Sequence, residues 1–219
     1  IFKKYGIDFC CGGKKTVKEA CADKGLDYAI LEQELQKADQ VISSRPLPYN
    51  DWSLDFLADY IVNTHHSYTK KQLPEIRGYA AKVARVHGDN HPELLEIYQL
   101  VEEVSAEMSA HMVKEEQILF PYIKEIVASK NKAAASQFEA LGSVRGPISM
   151  MEMEHEHTGN AMEQIRKLSD NYTLPQDSCA SYSLLFRMLE ELEEDLHTHI
   201  HLENNILFPK ALQMEKELK

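Results

Sequence analysis

An eleven-residue phrase that occurs twice constrains the fold of this chain more than any other feature. The first copy, HMVKEEQILFP, begins at His111, and the second, HIHLENNILFP, begins at His199, 88 positions later (199 − 111). Each copy carries a carboxylate four residues after its histidine, at Glu115 and at Glu203. Because four residues are about one helical turn, each imidazole lies on the same helix face as its carboxylate. The repeat therefore predicts two similar helices, each bearing a pair of side chains that can bind a metal.

Two further histidines extend this pattern to four helices. The intervals between His66, His111, His155 and His199 are 45, 44 and 44 residues. In an up-and-down bundle, helices of similar length return the chain to the same height, so these four residues can share one layer. A single histidine–glutamate pair is usually a surface ion pair, but two copies in register, with two more histidines, favour a metal site. We predict two helical hairpins related by pseudo-two-fold symmetry.

Four inward imidazoles and two inward carboxylates would form a site of nitrogen and oxygen donors. Such donors suit Fe, Mn and Zn, and the lack of thiolate argues against a structural zinc cage. Two carboxylates on opposed helices can bridge two metals, so a pair of non-haem iron ions fits best, with one face of each open to water, O2 or NO. The predicted ligands are His66, His111, Glu115, His155, His199 and Glu203.

Other polar residues near these positions leave alternatives open. Residues one or two apart do not share a helix face, so one histidine of each cluster is expected to be a ligand. The clusters are His65 and His66, His155 and His157, and His197, His199 and His201. Glu116 and Glu154 either orient ligand imidazoles or are solvated charges. His87 lies too far along its helix to reach the same centre, and we expect a loop or cap role for it.

The chain after residue 52 is expected to be helical throughout. Apolar residues recur with the helical period, and no run of alternating β-branched residues indicates a sheet. Pro74 and Pro121 fall inside this pattern and should bend their helices, so the ILFP letters are interpreted as apolar packing and a bend. The four predicted helices span 53–88, 91–128, 147–170 and 177–212, with a shorter helical stretch at about 131–141. The predicted class is all-α, a four-helix bundle.

Residues 1–40 are predicted to form a separate small helical unit. Thr16 can cap a short helix that ends at Gly25, and Asp27 can cap a second helix. Residues 41–51 contain two prolines and no periodic pattern, and they indicate a linker to the main domain, residues 52–219.

Adjacent cysteines in the small unit are a second candidate site. Cys10 and Cys11 are followed by two glycines and two lysines, which keep the thiols accessible and favour thiolate. A redox or thiol role is the functional interpretation, and simple packing in a turn is the alternative. Cys21 and Cys179 are expected to be structural.

Charge and composition exclude several classes of partner. The net charge is −11 and the isoelectric point is about 5.4, which argues against nucleic acid and anionic membranes. The longest apolar runs fall well short of the ~20 residues of a membrane span, and no signal peptide is visible. Because four cysteines in 219 residues do not suggest a disulfide framework, we expect a reducing cytoplasm.

These motifs together resemble the repair-of-iron-centres family of bacterial di-iron proteins. The resemblance covers essentially the whole chain and rests on FCCGGK, HH…LP, RVHG…HPEL, HMxKEEQILFP, EHxxxG and HxxLENNILFP. It implies an N-terminal ScdA-type domain and a hemerythrin-like bundle. It also implies the six ligands predicted above, with the two glutamates bridging, and it matches Cys10 and Cys11 to the family's paired cysteines.

The resemblance further implies a cytoplasmic protein, monomeric or homodimeric, that is induced by nitric oxide or oxidants. Its implied function is the repair of damaged iron–sulfur cluster proteins by supply of iron from a labile di-iron centre. Reduction of NO to N2O, with the cysteine pair as electron relay, is the second interpretation. A reversible O2 or NO carrier or sensor is the third. That third function would not need the CCGG segment, and O2 carriage of the hemerythrin type relies on a fifth histidine that the spacing here does not clearly provide.

Overall fold

The structure, a computed structural model, describes residues 1–7, 15–40, 47–132 and 142–218. Within these ranges the chain forms helices and turns and no β-strand, which confirms the predicted all-α class. The N-terminal part contains a 3-10 turn at Lys3–Tyr5, helix α1 at Val17–Lys24 and helix α2 at Tyr28–Gln40. Cys10, Cys11 and the first half of the predicted linker lie outside the described residues.

Local capping defines the two short helices as the sequence predicts. The backbone N–H of Glu19 donates to the Thr16 hydroxyl at 3.2 Å, and the N–H of Thr16 donates to the Glu19 carboxylate at 2.7 Å. Gly25 ends α1 with a φ of 64°, a conformation in which a side chain would be strained. The Asp27 carboxylate accepts from the N–H of Ala29 at 2.8 Å. The unit has a small core of its own, formed by Ile7, Cys21 and Leu31.

Four long helical segments form the bundle, and three of them are interrupted by a π turn. A 3-10 turn at Tyr49–Asp51 precedes them. The first consists of α3 (Leu54–Ile61), a π turn (Val62–His66) and α4 (Ser67–His87). The second consists of α5 (Glu93–Lys114), a π turn (Glu115–Leu119) and α6 (Phe120–Lys132). The third is α7 (Arg145–Leu168). The fourth consists of α8 (Ala180–Leu202), a π turn (Glu203–Leu207) and α9 (Phe208–Leu218).

The observed boundaries differ most from prediction in the fourth segment. It begins at Ala180 rather than at Asp177, because Cys179 has an extended backbone (φ −92°, ψ 170°). It continues to Leu218, beyond the predicted end at Leu212. Pro74 lies inside α4, which continues through it to His87. Of the short helix expected at about 131–141, all but the first two residues lie outside the described ranges.

Two apolar clusters lie on either side of the predicted histidine layer. One cluster includes Leu73, Met108, Met112 and Leu196, from α4, α5 and α8, together with part of α7. The other includes Ile61, Leu119, Ile148 and Leu207, from the opposite half of each segment. On every segment the predicted metal ligands lie near the boundary between the residues of the two clusters. The bundle therefore holds one polar layer between two hydrophobic cores, and burial of those cores stabilises it.

Candidate metal centre

The three π turns coincide with three of the predicted ligand positions. His66 is the last residue of the first π turn, and Glu115 and Glu203 are the first residues of the other two. A π turn adds one residue to a helical turn and redirects the side chains around it, and it is frequent at functional sites. Pro121 and Pro209 follow the second and third turns. Each lacks the N–H that an α-helical bond would require, which favours a local departure from the α-helix.

All six predicted ligands converge in the interior of the bundle. They form two groups, in each of which the potential ligand atoms lie within 4.8 Å of one another. The first group is His66, Glu115, His199 and Glu203, and the second is His111, Glu115, His155 and Glu203. Both carboxylates belong to both groups. The arrangement could therefore hold two neighbouring metal ions that share two carboxylates.

The ring nitrogens and carboxylate oxygens face one another at short distances. Glu115 Oε2 lies 3.3 Å from His66 Nε2 and 3.2 Å from His111 Nε2. Glu203 Oε1 lies 3.0 Å from His199 Nε2, and its Oε2 lies 3.2 Å from His155 Nε2. The facing imidazoles are similarly close. His66 Nε2, for example, lies 3.2 Å from His199 Nε2. Each histidine thus directs Nε2 towards the centre of the layer.

Buried atoms without partners show that this donor set fits a metal. All six side chains are at most 2% exposed. Both oxygens of Glu115 and Oε2 of Glu203 have no hydrogen-bond partner within the described parts of the chain. Because a buried carboxylate without a partner is costly, these oxygens need a cation or a donor. Nitrogen and carboxylate oxygen are ligands that iron accepts.

Partners on the opposite ring nitrogen fix three of the four imidazoles. His66 Nδ1 lies 2.7 Å from Glu116 Oε1, and His111 Nδ1 lies 2.9 Å from Glu154 Oε2. Glu116 and Glu154 are therefore contacts of ligand imidazoles rather than solvated charges. His155 Nδ1 lies 2.9 Å from Asn204 Oδ1. Such contacts select the tautomer that leaves Nε2 free to bind a metal.

Lysines connect two of these contacts to the surface. Lys70 Nζ donates to both Glu116 oxygens at 2.6 Å and 2.8 Å. Lys114 Nζ donates to Glu154. Asn204 was not among the predicted site residues. It follows Glu203 directly, as Glu116 follows Glu115. Alignment of the two copies of the repeat could therefore have identified Asn204 as the counterpart of Glu116.

Phenylalanines of the two ILFP phrases cover ligand imidazoles. Phe120 stacks on His66 with ring centroids 5.7 Å apart, and Phe208 stacks on His155 with centroids 6.1 Å apart. The sequence predicts that ILFP contributes apolar packing and a helix bend. In the structure its phenylalanine also packs against a metal-ligand imidazole in each copy. The two contacts are equivalent under the predicted pseudo-symmetry.

Strong electrostatic coupling governs protonation in the layer. Burial acts to lower the pKa of His111, but the negative charges of Glu115 and Glu203 outweigh it and raise that pKa to about 9. Burial acts to raise the pKa of Glu203, but His199 and His155 hold it well below its usual value. For His199 burial dominates, and the pKa is lowered. Burial and the charge of Glu203 act to raise the pKa of Glu115, but His111 and His66 outweigh them and lower it. Both glutamates therefore remain ionised, as metal ligands must be.

Three other histidines of these clusters have partners outside the two donor groups. His65 is buried with Nδ1 2.8 Å from Asp195 Oδ1, and its ring stacks on that of His199. His157 pairs with Glu107 at the surface, at 2.8 Å. His201 Nδ1 lies 3.0 Å from Asn205 Nδ2. Of each cluster, the member favoured by spacing is the one that joins the layer.

A cysteine–histidine contact lies apart from this centre. His87, the last residue of α4, has Nε2 3.2 Å from Cys179 Sγ, and its carbonyl accepts from the N–H of His91 at 2.8 Å. Cys179, which is expected to be structural, has an exposed side chain. His87, together with the N–H groups at the start of α8, lowers the pKa of the Cys179 thiol. Cys21 is buried in the small core as expected.

No helix among the described residues has the length and apolar content that crossing a membrane requires.

Comparison with known proteins agrees with the geometry along the chain. Residues 57–211 match the family model of the hemerythrin HHE cation binding domain. Residues 1–39 match a domain of unknown function, DUF542, also called ScdA_N. The chain is 38% identical over 218 residues to the iron-sulfur cluster repair protein YtfE of Escherichia coli O8 (strain IAI1) and to that of Shigella boydii serotype 4 (strain Sb227). Each alignment covers 98% of this chain and 91% of the relative. The chain therefore belongs to the hemerythrin HHE family and, within it, to the group of the iron–sulfur cluster repair proteins.

Proposed function

We propose that this protein repairs iron–sulfur clusters damaged by nitric oxide or oxidative stress, and that it supplies iron for the repair. The observation that carries the proposal is the pair of buried donor groups that share Glu115 and Glu203. The similarity to proteins named for iron–sulfur cluster repair supports the same conclusion. The proposed ligands of two iron ions are His66, His111, Glu115, His155, His199 and Glu203.

The two carboxylates have the bridging role in this proposal. Glu203 presents one oxygen to His199 and the other to His155, at 3.0 Å and 3.2 Å. Each metal position would have two imidazoles and a share of both carboxylates, which leaves room for a small ligand such as NO or O2. When bound, two irons supply a site that can exchange electrons with such a ligand and iron that can be transferred to a damaged cluster.

The surrounding residues prepare the site for both uses. Phe120 and Phe208 pack against ligand imidazoles, and the two apolar clusters enclose the layer from either side. Glu116, Glu154 and Asn204 keep the ligand imidazoles oriented. We also propose the division into residues 1–40, 41–51 and 52–219, a cytoplasmic location, and a redox role of Cys10 and Cys11 in the small unit.

Iron stoichiometry and iron transfer test the proposal. Protein purified anaerobically should contain two irons per chain, with Mössbauer parameters of a coupled non-haem pair. Incubation with an apo iron–sulfur protein should move iron to that protein and restore its cluster when sulfide is present. Turnover of NO to N2O under a reductant would indicate the reductase alternative, and reversible binding with neither transfer nor turnover would indicate a carrier or sensor. A chain without iron would refute all three.

A further inference from the structure

The pseudo-two-fold symmetry of the layer fails at one position. Glu154, the residue before the ligand His155, contacts Nδ1 of His111 at 2.9 Å. The symmetry relates His155 to His66 and His111 to His199. The equivalent of Glu154 is therefore His65, which carries no carboxylate to offer His199.

His65 contacts Asp195 and does not offer a hydrogen bond to His199 Nδ1. Its ring stacks on His199 with centroids 5.6 Å apart and planes at 11°, so the ring atoms do not point at His199. Instead, His65 Nδ1 lies 2.8 Å from Asp195 Oδ1. His65 is 4% exposed and His199 is fully buried, so both contacts lie in the protein interior.

Three buried atoms in and beside this stack have no hydrogen-bond partner within the described residues: His199 Nδ1, Asp195 Oδ2 and His65 Nε2. The first two are complementary, because His199 Nδ1 can donate and Asp195 Oδ2 accepts. Asp195 precedes His199 by four residues on α8, which places the two side chains on one helix face. A buried donor and a buried acceptor in adjacent positions are commonly joined by an ordered water.

We propose that Asp195 orients His199 through one buried water, and that His65 is the residue that fixes Asp195 for this purpose. This inference rests on the proposed di-iron site. It makes the two metal positions unequal: the imidazoles of His111 and His155 are fixed by direct hydrogen bonds, whereas His199 is fixed through a water and a shared carboxylate. The iron bound by His66 and His199 is then the one that leaves first when iron is supplied.

Release of iron to a chelator tests the inference without an assay of repair. Wild-type protein loaded with two Fe(II) ions should release them in two phases. Asp195→Leu keeps the branching of the side chain but removes the acceptor, and it should accelerate the fast phase tenfold to a hundredfold, the usual effect of losing a partner of a ligand histidine. The slow phase should be unchanged. Asp195→Asn keeps one acceptor oxygen and loses the other, and it should give a fast phase between those of the wild type and Asp195→Leu.

Two further variants separate positioning from a general loss of packing. His65→Phe keeps the stacked ring but removes the nitrogen that holds Asp195, and it should also accelerate only the fast phase. Glu107→Leu alters the symmetry equivalent of Asp195, which pairs with the exposed His157, and should leave both phases unchanged. Mössbauer spectra of Asp195→Leu should show one altered iron of the two.

A single release phase in the wild type would overturn the inference, as would unchanged phases in both Asp195→Leu and His65→Phe. Either result with two irons bound leaves the proposed function standing. Absence of iron from the wild-type protein would instead refute the proposed function itself.

Discussion

The Nε2 atoms of His111 and His155 lie 3.0 Å apart in the interior of the bundle. Two imidazole nitrogens at this distance can share a proton only if one ring donates and the other accepts. Because the Nδ1 atoms of both rings already contact Glu154 and Asn204, the neutral tautomers direct both Nε2 lone pairs to the same place. A cation satisfies both lone pairs at once.

Loss of one donor from each repeat should abolish metal loading. We expect the double variant His111→Ala with Glu203→Ala to lose both irons, because Glu203 belongs to both donor groups. Helix content measured by circular dichroism should survive, since the two apolar clusters are intact. Iron per chain is the measurement.

A matched pair outside the layer provides the control for this experiment. Glu107 and His157 form an exposed ion pair on the same two helices as His111 and His155. Glu107→Ala with His157→Ala should retain full iron content. Full iron content in the His111 and Glu203 double variant as well would show that the ligand assignment is wrong.

Metal uptake should release a proton from His111 at a pH where an ordinary histidine has none to give. The pKa of His111 is raised to about 9, so the metal-free chain holds this proton at pH 8, whereas a histidine with a pKa of about 6.5 does not. The apparent affinity for the metal should therefore rise about tenfold per pH unit between pH 6.5 and pH 9, because binding displaces this one proton. Titration with Zn(II) in a weakly buffered solution at pH 8 measures the release. Binding with no proton released would contradict the expectation.

Alkylation of Cys179 should persist at lower pH than that of an ordinary thiol. His87 lowers the pKa of the thiol, so the thiolate is retained as pH falls below the usual value of about 8.5. We expect His87→Gln to move the midpoint of the rate–pH profile upward. The reaction at pH 7 should slow about threefold, rather than tenfold, for each pH unit by which the midpoint rises, because a more basic thiolate is also more nucleophilic.

Iodoacetamide in a Cys10→Ser, Cys11→Ser background makes this measurement specific, since Cys21 is buried. His91→Gln is the control, because His91 pairs with Asp177 at 3.0 Å and not with the thiol. Identical profiles for His87→Gln and the parent would rule out the influence of His87.

Glu215 should stabilise the fold without affecting the metal centre. Its buried carboxylate accepts from the N–H of Val144 at 3.0 Å, from the Ser143 hydroxyl at 3.0 Å and from the Tyr122 hydroxyl at 3.1 Å, and so anchors the start of α7. Glu215→Ala removes the acceptor of the Val144 N–H and of the Ser143 hydroxyl, while the Tyr122 hydroxyl can still donate to the Gly142 carbonyl at 3.0 Å. The substitution should lower the free energy of unfolding of the metal-free protein by about 2–4 kcal/mol.

Glu217 is the control for Glu215, because it lies two residues away on α9 and is about half exposed. Glu217→Ala should change the free energy of unfolding by less than about 0.5 kcal/mol. Urea denaturation followed by circular dichroism measures both variants. Equal effects of the two substitutions would contradict the anchoring role.

Replacement of both adjacent cysteines should separate iron binding from repair. Cys10→Ser with Cys11→Ser leaves the six donors untouched, so iron content should equal that of the wild type. If the thiols take part in repair, recovery of a damaged cluster protein should decline. Recovery of enzyme activity after exposure to NO measures this, with Cys21→Ser as the comparison, and unchanged recovery would exclude a role for the pair.

The repeat by itself determines most of the fold and the donor set. Spacing of four residues fixes His111 with Glu115 and His199 with Glu203 on one face, because helical geometry is local. Near-equal intervals place His66 and His155 at the same height, because helices of similar length packed side by side keep a common register. The capping box of Thr16 is likewise readable from the sequence, since its atoms lie within one turn.

Contacts between different segments could be decided only by the tertiary structure. The sequence leaves open whether Glu154 touches His111 or water, and it gives no sign that His87 meets Cys179 across 92 positions. The spacing of the histidines favours His66 over His65, but no local pattern in that segment predicts the π turn that ends at His66. These features arise when side chains from separate helices compete for the same buried space, and that competition exists only once the bundle has formed.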